Sequence, residues 1–338
     1  MKRICLFIGL NVLGLIALAQ GTVTNLNQLK PDELKAIMRR EIVVVEYSEA
    51  DSENASLEKK RAKAKGEKLD ELNKRIAINR STDEMFQANL ERIVRENWKH
   101  GKMEKLRVIS HEEAKANAKD KSGAKYAMVF VRSFTKSASI YDGTGIEKIE
   151  LSSVCFQGGE FYGRNTDVIA FPMVVSNDEG YVSETDLTTS VRILNRYVEL
   201  AGKSDKRLAM DDFIDGEVAA NCSLKKKSVL HFQPSFLKDA TASDVKSNWP
   251  ASVEMDKGEL FYQNYSPIAE DAFAVFIPTQ IGEGSFGPVS TQALIFSRLV
   301  VQPSTGLILG FARTKMGERA GELFYKVGHL EDIGSCGK

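Results

Sequence analysis

Two apolar stretches decide the fold of this chain: KYAMVFVRSF at residues 125–134 and AFAVFIPT at residues 272–279. Both are rich in β-branched and aromatic side chains, which favour strands buried on both faces. Each follows a strand, a helix that ends in Asn-Trp, a second strand and a second helix, and each precedes a hairpin and a closing helix. We therefore expect an α/β (α+β) fold of two similar mixed-sheet units with helices packed on the sheets.

Four short matches in the same order indicate an internal repeat. The alternative is a pair of unrelated α/β domains. The matches pair Val43-Val44-Val45-Glu46-Tyr47 with Ser228-Val229-Leu230-His231-Phe232, Asn97-Trp98 with Asn248-Trp249, Ala127-Met128-Val129-Phe130-Val131 with Ala274-Val275-Phe276-Ile277, and Val174-Val175 before Gly180 with Val300-Val301 before Gly306.

The repeat divides the chain into four segments, which are a signal peptide at 1–19, a first α/β unit at 20–202, a polar linker at 203–227 and a second α/β unit at 228–338. Within the first unit, residues 48–80 are predicted to form a charged helical insertion. Its basic stretch, Lys59-Lys60-Arg61-Lys63-Lys65-Lys68, fits either contact with an anionic surface or a solvated helix. In the second unit a short helix is predicted at 267–271.

The overall charge argues against nucleic acid as the main partner. The chain has 338 residues, 46 lysine and arginine residues against 46 acids, and no net charge at pH 7. Binding to nucleic acid phosphates needs an excess of basic residues. The hydrophobic fraction of 43% is that of an ordinary globular protein rather than a disordered chain.

The N-terminus has the pattern of an export signal. Lys2 and Arg3 precede an apolar run that ends in Ala17-Leu18-Ala19, a small-x-small site of the kind that signal peptidase cleaves. We predict cleavage between Ala19 and Gln20, no transmembrane segment after signal removal, and a periplasmic or outer-surface location in a bacterium. A transmembrane anchor is the alternative, but the run is shorter than the roughly 20 apolar residues that a spanning helix needs.

Three cysteines follow the predicted cleavage site: Cys155, Cys222 and Cys336. An exported protein meets oxidising conditions, and with three cysteines at most one intramolecular disulfide forms and one thiol is left over. Cys222 and Cys336 lie in loop-like segments that flank the second unit, and we predict that these two pair. Cys155 lies in an apolar run and is predicted to be a small buried hydrophobe.

The sequence offers several motifs that imitate active sites. Residues 281–289, IGEGSFGPV, imitate a kinase phosphate loop, but the next strand has no lysine, and we predict a strand-connecting loop. Asp211, Asp212, Asp215 and Glu217 suggest calcium ligands without EF-hand spacing, with a solvated linker as the alternative. Cys155 and His231 are the best available pair for a Cys/His site, although both also fit buried structural roles. We predict no cofactor, no metal and no catalytic residue.

Two motifs carry a resemblance to a known family. Gly123-Ala124-Lys125-Tyr126 and the hairpin LVVQPSTG at 299–306 resemble periplasmic domains of the curli-secretion lipoprotein type and of lipoprotein activators of cell-wall synthases. The chain departs from them in lacking a lipid-anchoring cysteine at the predicted mature N-terminus and in having the insertion at 48–80. The resemblance implies an exported, non-enzymatic envelope protein that binds or assembles with a protein or cell-wall partner. The alternative is an exported hydrolase with a site between the two units.

Overall fold

The computed structural model describes residues 29–47, 54–140, 145–164, 167–177, 181–280, 284–286, 289–291, 294–313 and 323–336. The helices in these ranges are α1 Pro31–Ile37, α2 Asn54–Arg61, α3 Glu67–Asn97, α4 His111–Asp120, α5 Glu184–Lys203, α6 Met210–Ala220, α7 Cys222–Lys225, α8 Ala242–Asn248, α9 Glu259–Asn264 and α10 Val327–Gly334. The strands are β1 Glu41–Val45, β2 Lys102–Ile109, β3 Tyr126–Ile140, β4 Gly145–Gly158, β5 Val168–Pro172, β6 Leu230–Phe232, β7 Val253–Met255, β8 Ala272–Gln280, β9 Gly284–Phe286, β10 Val289–Thr291, β11 Leu294–Gln302 and β12 Leu307–Ala312.

Two five-stranded mixed sheets form the frame of the molecule. Sheet 1 has the order β2-β1-β3-β4-β5, and sheet 2 has the order β7-β6-β8-β11-β12. In each sheet the first strand in the chain lies parallel to both of its neighbours, and the last two strands are added antiparallel. The predicted fold class is confirmed, because the same strand order and the same directions occur twice.

Helices cover the faces of the sheets in the same order as well. On sheet 1, α3 and α5 pack on one face and α4 packs on the other. On sheet 2, α8 and α10 pack on one face and α9 packs on the other. Strands buried on both faces need apolar residues at successive positions rather than at alternate ones, which explains the unbroken apolar runs in β3 and β8.

The Asn-Trp pairs end equivalent helices in the same way. The Asn97 side chain donates to the Ile93 carbonyl at 2.8 Å, and the Asn248 side chain donates to the Asp244 carbonyl at 2.8 Å. Trp98 and Trp249 follow in extended backbone, and both indoles are buried in the core. The asparagine satisfies a carbonyl in the last turn while the tryptophan closes the core under the helix end.

Two of the four sequence matches align the units wrongly. Val45 faces the α4 side of sheet 1, whereas Leu230 faces the α8 side of sheet 2, so this pairing joins opposite faces. Because side chains alternate along a strand, a shift by an odd number of residues exchanges the two faces. Val174 lies beyond the end of β5, whereas Val300 lies within β11, the counterpart of β4. A valine pair five residues before a glycine is too local a pattern to identify one turn.

A single core runs through both sheets, with α5 between them. This 20-residue helix is buried on nearly all sides, and Leu187, Leu194 and Val198 belong to a cluster that includes residues of both sheets. The backbones of Val175 and Phe276 also exchange two hydrogen bonds of 2.9 Å, which link the end of β5 to β8. The two units are therefore held in one packed body.

The segment at 203–227 is not the polar linker that its composition predicts. It contains α6 and α7, and Met210, Phe213, Ile214 and Val218 are buried in the core. The polar residues of this segment occupy the outer side of an amphipathic helix, and composition alone does not separate such a helix from a linker. The short helix predicted at 267–271 is likewise a turn, and α9 precedes it.

Candidate functional site

Cys222 and Cys336 form a disulfide, with Cα atoms 5.2 Å apart. The bond ties α7 to the residues that follow α10. Lys225, also in α7, is buried and donates through Nζ to the carbonyl oxygens of Ile333 and Ser335 at the end of α10. Burial lowers the pKa of Lys225 to about 8. The disulfide and the lysine therefore fasten the C-terminal helix to the second unit.

The structure does not assemble a Cys/His site from Cys155 and His231. Cys155 is buried on the α4 side of sheet 1, and burial raises the pKa of its thiol to about 12. His231 lies in sheet 2, where its Nδ1 is 2.6 Å from Asp256 Oδ2 and its ring stacks on Phe273. A thiol with so high a pKa supplies almost no nucleophilic thiolate near neutral pH.

Two of the four acidic residues proposed as calcium ligands, Asp215 and Glu217, are paired with arginines instead. Both carboxylate oxygens of the buried Glu217 accept hydrogen bonds from Arg196, at 2.9 and 2.8 Å. Asp215 accepts a hydrogen bond from Arg313 at 2.8 Å. In the ranges that the structure describes, no group of three or more His, Cys, Asp or Glu residues is placed to hold a metal ion.

The other predicted sites lie partly or wholly outside the described residues. Ala19 and Gln20 at the predicted cleavage site belong to the part of the chain that is not described. Of the glycine-rich stretch at 281–289, the described residues contribute to the β9–β10 hairpin, which connects β8 to β11. None of the helices that the structure describes combines the length and apolar content that a bilayer crossing requires.

A cleft of about 880 Å³ opens beside α4 on the outer side of sheet 1, and we call it the α4 cleft. It lies where the end of α4 meets the turn that follows β4. Its lining consists of Lys115, Ala118, Lys119, Lys121, Ala124, Glu160, Phe161, Tyr162 and Arg164.

The two walls of the α4 cleft meet at a pair of glycines. Ser122–Lys125 and Gly159–Phe161 form single 3-10 turns, and these turns are in backbone contact. A Cβ atom on Gly123 would lie 2.6 Å from the carbonyl carbon of Gly159, so only glycine permits the approach. Lys121, which ends α4 in a left-handed conformation at φ 62°, turns the chain into this contact.

Aromatic rings form the floor of the α4 cleft. The hydroxyl of Tyr162 lies 2.6 Å from Nδ1 of His111, the first residue of α4. The Tyr162 ring packs edge-on against Phe130 of β3, and the guanidinium of Arg132 lies over both rings. Phe161 is half-buried beside it, with the Arg164 guanidinium 5.8 Å from its ring centre. The floor is therefore fixed by packing before any ligand arrives.

The rim of the α4 cleft is basic. Lys115, Lys119, Lys121 and Arg164 are exposed, and the three lysines form no ion pair with any residue that the structure describes. The acid in the lining, Glu160, forms an ion pair with Arg40 from behind. Positive charge beside an aromatic surface suits an anionic ligand that also presents a flat or apolar face.

Between the two units lies a second polar cluster, which is closed to solvent. The buried Asp186 of α5 accepts hydrogen bonds from Ser176, Ser183 and the Tyr265 hydroxyl, which lies 3.0 Å from Oδ1. Burial raises the pKa of Asp186 to about 6, against the lowering effect of these hydrogen bonds. This arrangement joins the units, and a substrate would reach it only if the core opened.

Sequence reasoning missed the α4 cleft because its residues come from two stretches about forty positions apart. Only the motif Gly123-Ala124-Lys125-Tyr126 pointed to this region, and it did so through a resemblance rather than through chemistry. No family model, no curated protein and no solved structure matches this chain.

Proposed function

We propose that this protein is an exported, non-enzymatic protein of the bacterial envelope that binds an anionic cell-wall component through the α4 cleft. One observation carries the proposal. Three exposed lysines and Arg164 surround a rigid aromatic floor, while Arg40 neutralises the acid of the lining. Sugar rings pack well on aromatic side chains, and wall carboxylates or phosphates pair with lysine and arginine.

Export is supported by two independent features. The first nineteen residues have the charge, apolar run and small-residue site of a cleaved signal. The disulfide between Cys222 and Cys336 suits an oxidising compartment, because cytosolic proteins keep their thiols reduced. Mass spectrometry of the protein recovered from its producing cell tests this point: a chain that begins at Gln20 supports export, and a chain that retains Met1 contradicts it.

Binding through the α4 cleft is tested by co-sedimentation with insoluble bacterial cell wall. We expect the triple variant Lys115→Gln, Lys119→Gln, Lys121→Gln to bind at least about tenfold more weakly, because each lost charge-assisted hydrogen bond is worth roughly 1.5 kcal/mol or more. The matched control changes three exposed lysines outside the α4 cleft, two directly after α7 and one in α8: Lys226→Gln, Lys227→Gln and Lys246→Gln.

Two results would contradict the proposal. One is equal loss of binding in the cleft variant and in the control, which would show that total charge rather than the cleft is recognised. The other is unchanged binding to walls whose acid groups have been converted to amides. Binding of an acidic peptide but not of cell wall would replace the wall component with a protein partner. The alternative of an exported hydrolase stays a prediction.

A further inference from the structure

A basic helical hairpin stands apart from the main core. It consists of α2, the turn that follows it and the first half of α3, and we call residues 54–80 the basic hairpin. Its apolar contacts form a small cluster of their own, made of Leu57, Leu72 and Ile76. The buried residues that α3 contributes to the main core begin at Phe86, with the half-buried Met85 packed beside them. At 1.5 Å per residue, the nineteen residues of α3 that precede Phe86 extend about 28 Å.

Positive charge is concentrated on this hairpin in a chain whose overall charge is zero. Residues 54–80 contain nine lysine and arginine residues and four acids, a local net charge of +5. Two of the arginines, Arg61 and Arg80, form ion pairs with Glu58. Five lysines are exposed and form no ion pair with any residue in the described ranges: Lys59, Lys60, Lys63, Lys65 and Lys68.

The chemistry of the hairpin favours a diffuse anionic surface over a shaped ligand. Lysine presents a mobile point charge, whereas arginine offers the planar fork that recognises single phosphates and bases. Residues 54–80 contain no Phe, Tyr or Trp. Nucleic acids are bound by stacking of bases on aromatic rings as well as by charge, and the hairpin supplies only charge. Lys63 and Lys65 lie in the turn between the helices, at the part of the hairpin farthest from the core.

We propose that the basic hairpin docks electrostatically on the surface of an anionic phospholipid bilayer. The five free lysines complement negatively charged headgroups. Leu57, Leu72 and Ile76 are buried inside the hairpin and its exposed apolar residues in the described ranges are alanines, so charge rather than insertion holds the protein at the surface. This interaction is separate from the α4 cleft and does not rest on the function proposed for that cleft. Docking gives a role to the insertion in the first unit, which has no counterpart in the second unit.

Vesicle co-sedimentation tests this inference with the protein as its host produces it. The vesicles contain phosphatidylglycerol and phosphatidylethanolamine, and neutral phosphatidylcholine vesicles serve as the reference. The hairpin variant is Lys59→Gln, Lys60→Gln, Lys63→Gln, Lys65→Gln. The control variant is Lys226→Gln, Lys227→Gln, Lys246→Gln, Lys257→Gln, which removes the same charge from exposed positions outside the hairpin. Any contribution of the N-terminal apolar segment is common to all three proteins.

We expect the hairpin variant to lose partitioning onto anionic vesicles by about 25-fold or more, since each lysine near such a surface is worth roughly fivefold and at least two must reach it. The control variant is expected to stay within about threefold of the wild type. Wild-type binding should also weaken strongly between about 50 and 300 mM salt. The Debye length is about 10 Å at 0.1 M salt and shortens as the salt concentration rises, so the attraction between lysines and headgroups is screened. Circular dichroism of both variants should match the wild type, because all the changed side chains are exposed.

Three outcomes would overturn the inference. The first is equal loss in both variants. The second is wild-type binding that does not respond to salt, a measurement that holds even if a variant misfolds. The third is wild-type binding to double-stranded DNA or soluble polyphosphate that is as tight as binding to anionic vesicles. A hairpin variant that loses vesicle binding but still binds cell wall would show that the basic hairpin and the α4 cleft act independently.

Discussion

The two sheets share one topology but bury opposite faces against each other. Sheet 1 contributes its α3 side to the shared core, whereas sheet 2 contributes its α9 side. The α4 side of sheet 1 is consequently left outside the shared core and is covered by α4, beside which the basic cleft opens. The equivalent α9 side of sheet 2 is packed around Phe261 and Tyr265 instead. Identical strand order thus places equivalent surfaces in different environments, and only one of the two is free to bind.

The helices α3 and α8, which precede β2 and β7, also occupy equivalent positions but differ in length. α3 has 31 residues and α8 has seven, yet both end in a buried tryptophan over the same part of their sheets. The position of the helix end is set by packing, and the length before that end is free to vary. The basic hairpin occupies the extra length in the first unit.

The largest expected effect comes from creating a cavity in the shared core, at a residue of α5, the helix between the sheets. Leu194→Ala should lower the free energy of unfolding by about 3.5 kcal/mol, because Leu194 is fully buried in the shared core. The structure predicts one unfolding transition for both units. Urea denaturation followed by tryptophan fluorescence, with either Trp98 or Trp249 replaced by Phe, reports each unit separately.

The matched control for that variant is Leu260→Ala, since Leu260 is 50% exposed. It should cost less than about 1 kcal/mol. Two separate transitions in the Leu194→Ala protein, with Trp249 reporting a stable second unit, would show that the sheets fold independently and would refute the single core.

A smaller effect is expected on the pH dependence of stability, which should differ between two capping boxes that have the same local structure. Ser183 and Asp186 cap α5, and Thr241 and Asp244 cap α8. Burial raises the pKa of Asp186 to about 6, whereas hydrogen bonds from Thr241 lower the pKa of the exposed Asp244. The raised pKa means that the folded state holds its proton more tightly than the unfolded state. The stability from this proton is present below about pH 4 and is lost as pH rises through 6.

The loss between pH 4 and 6.5 should amount to about 2 kcal/mol, since each pKa unit corresponds to about 1.4 kcal/mol and most of the shift of Asp186 falls within this range. Asp186→Asn should remove this dependence, while Asp244→Asn should keep it. Urea denaturation at a series of pH values measures both. An Asp186→Asn protein whose stability still falls over that range as in the wild type would refute the assignment.

The smallest expected effect is a difference in stability between variants of the two tryptophans. Trp249 Nε1 donates to the Ser228 carbonyl at 3.0 Å, whereas Trp98 Nε1 has no hydrogen-bond partner within the described part of the chain. Trp249→Phe should therefore destabilise the protein by about 1 kcal/mol more than Trp98→Phe. Thermal unfolding of the two variants measures the difference. Equal losses would mean that the indole hydrogen bond contributes nothing.

The repeat could be predicted from sequence because its signals are local. Apolar runs mark β3 and β8, and the Asn-Trp pairs mark the ends of α3 and α8. The register between the units could not be predicted in this way, since Val45 and Leu230 look alike but face opposite sides of their sheets. The helices α6 and α7 were hidden for a similar reason, because their polar outer sides dominate the composition of 203–227.

The amino-acid sequence by itself determined the strands, most of the helices and the order in which they follow one another, because these depend on side-chain type and spacing over a few residues. Tertiary structure alone decided which faces of the two sheets meet. That choice buried Asp186 and left the α4 side of sheet 1 outside the shared core, covered by α4. Burial and charge proximity arise from residues far apart in the chain, so the chemistry of Asp186 and of the α4 cleft appears only once the chain is folded.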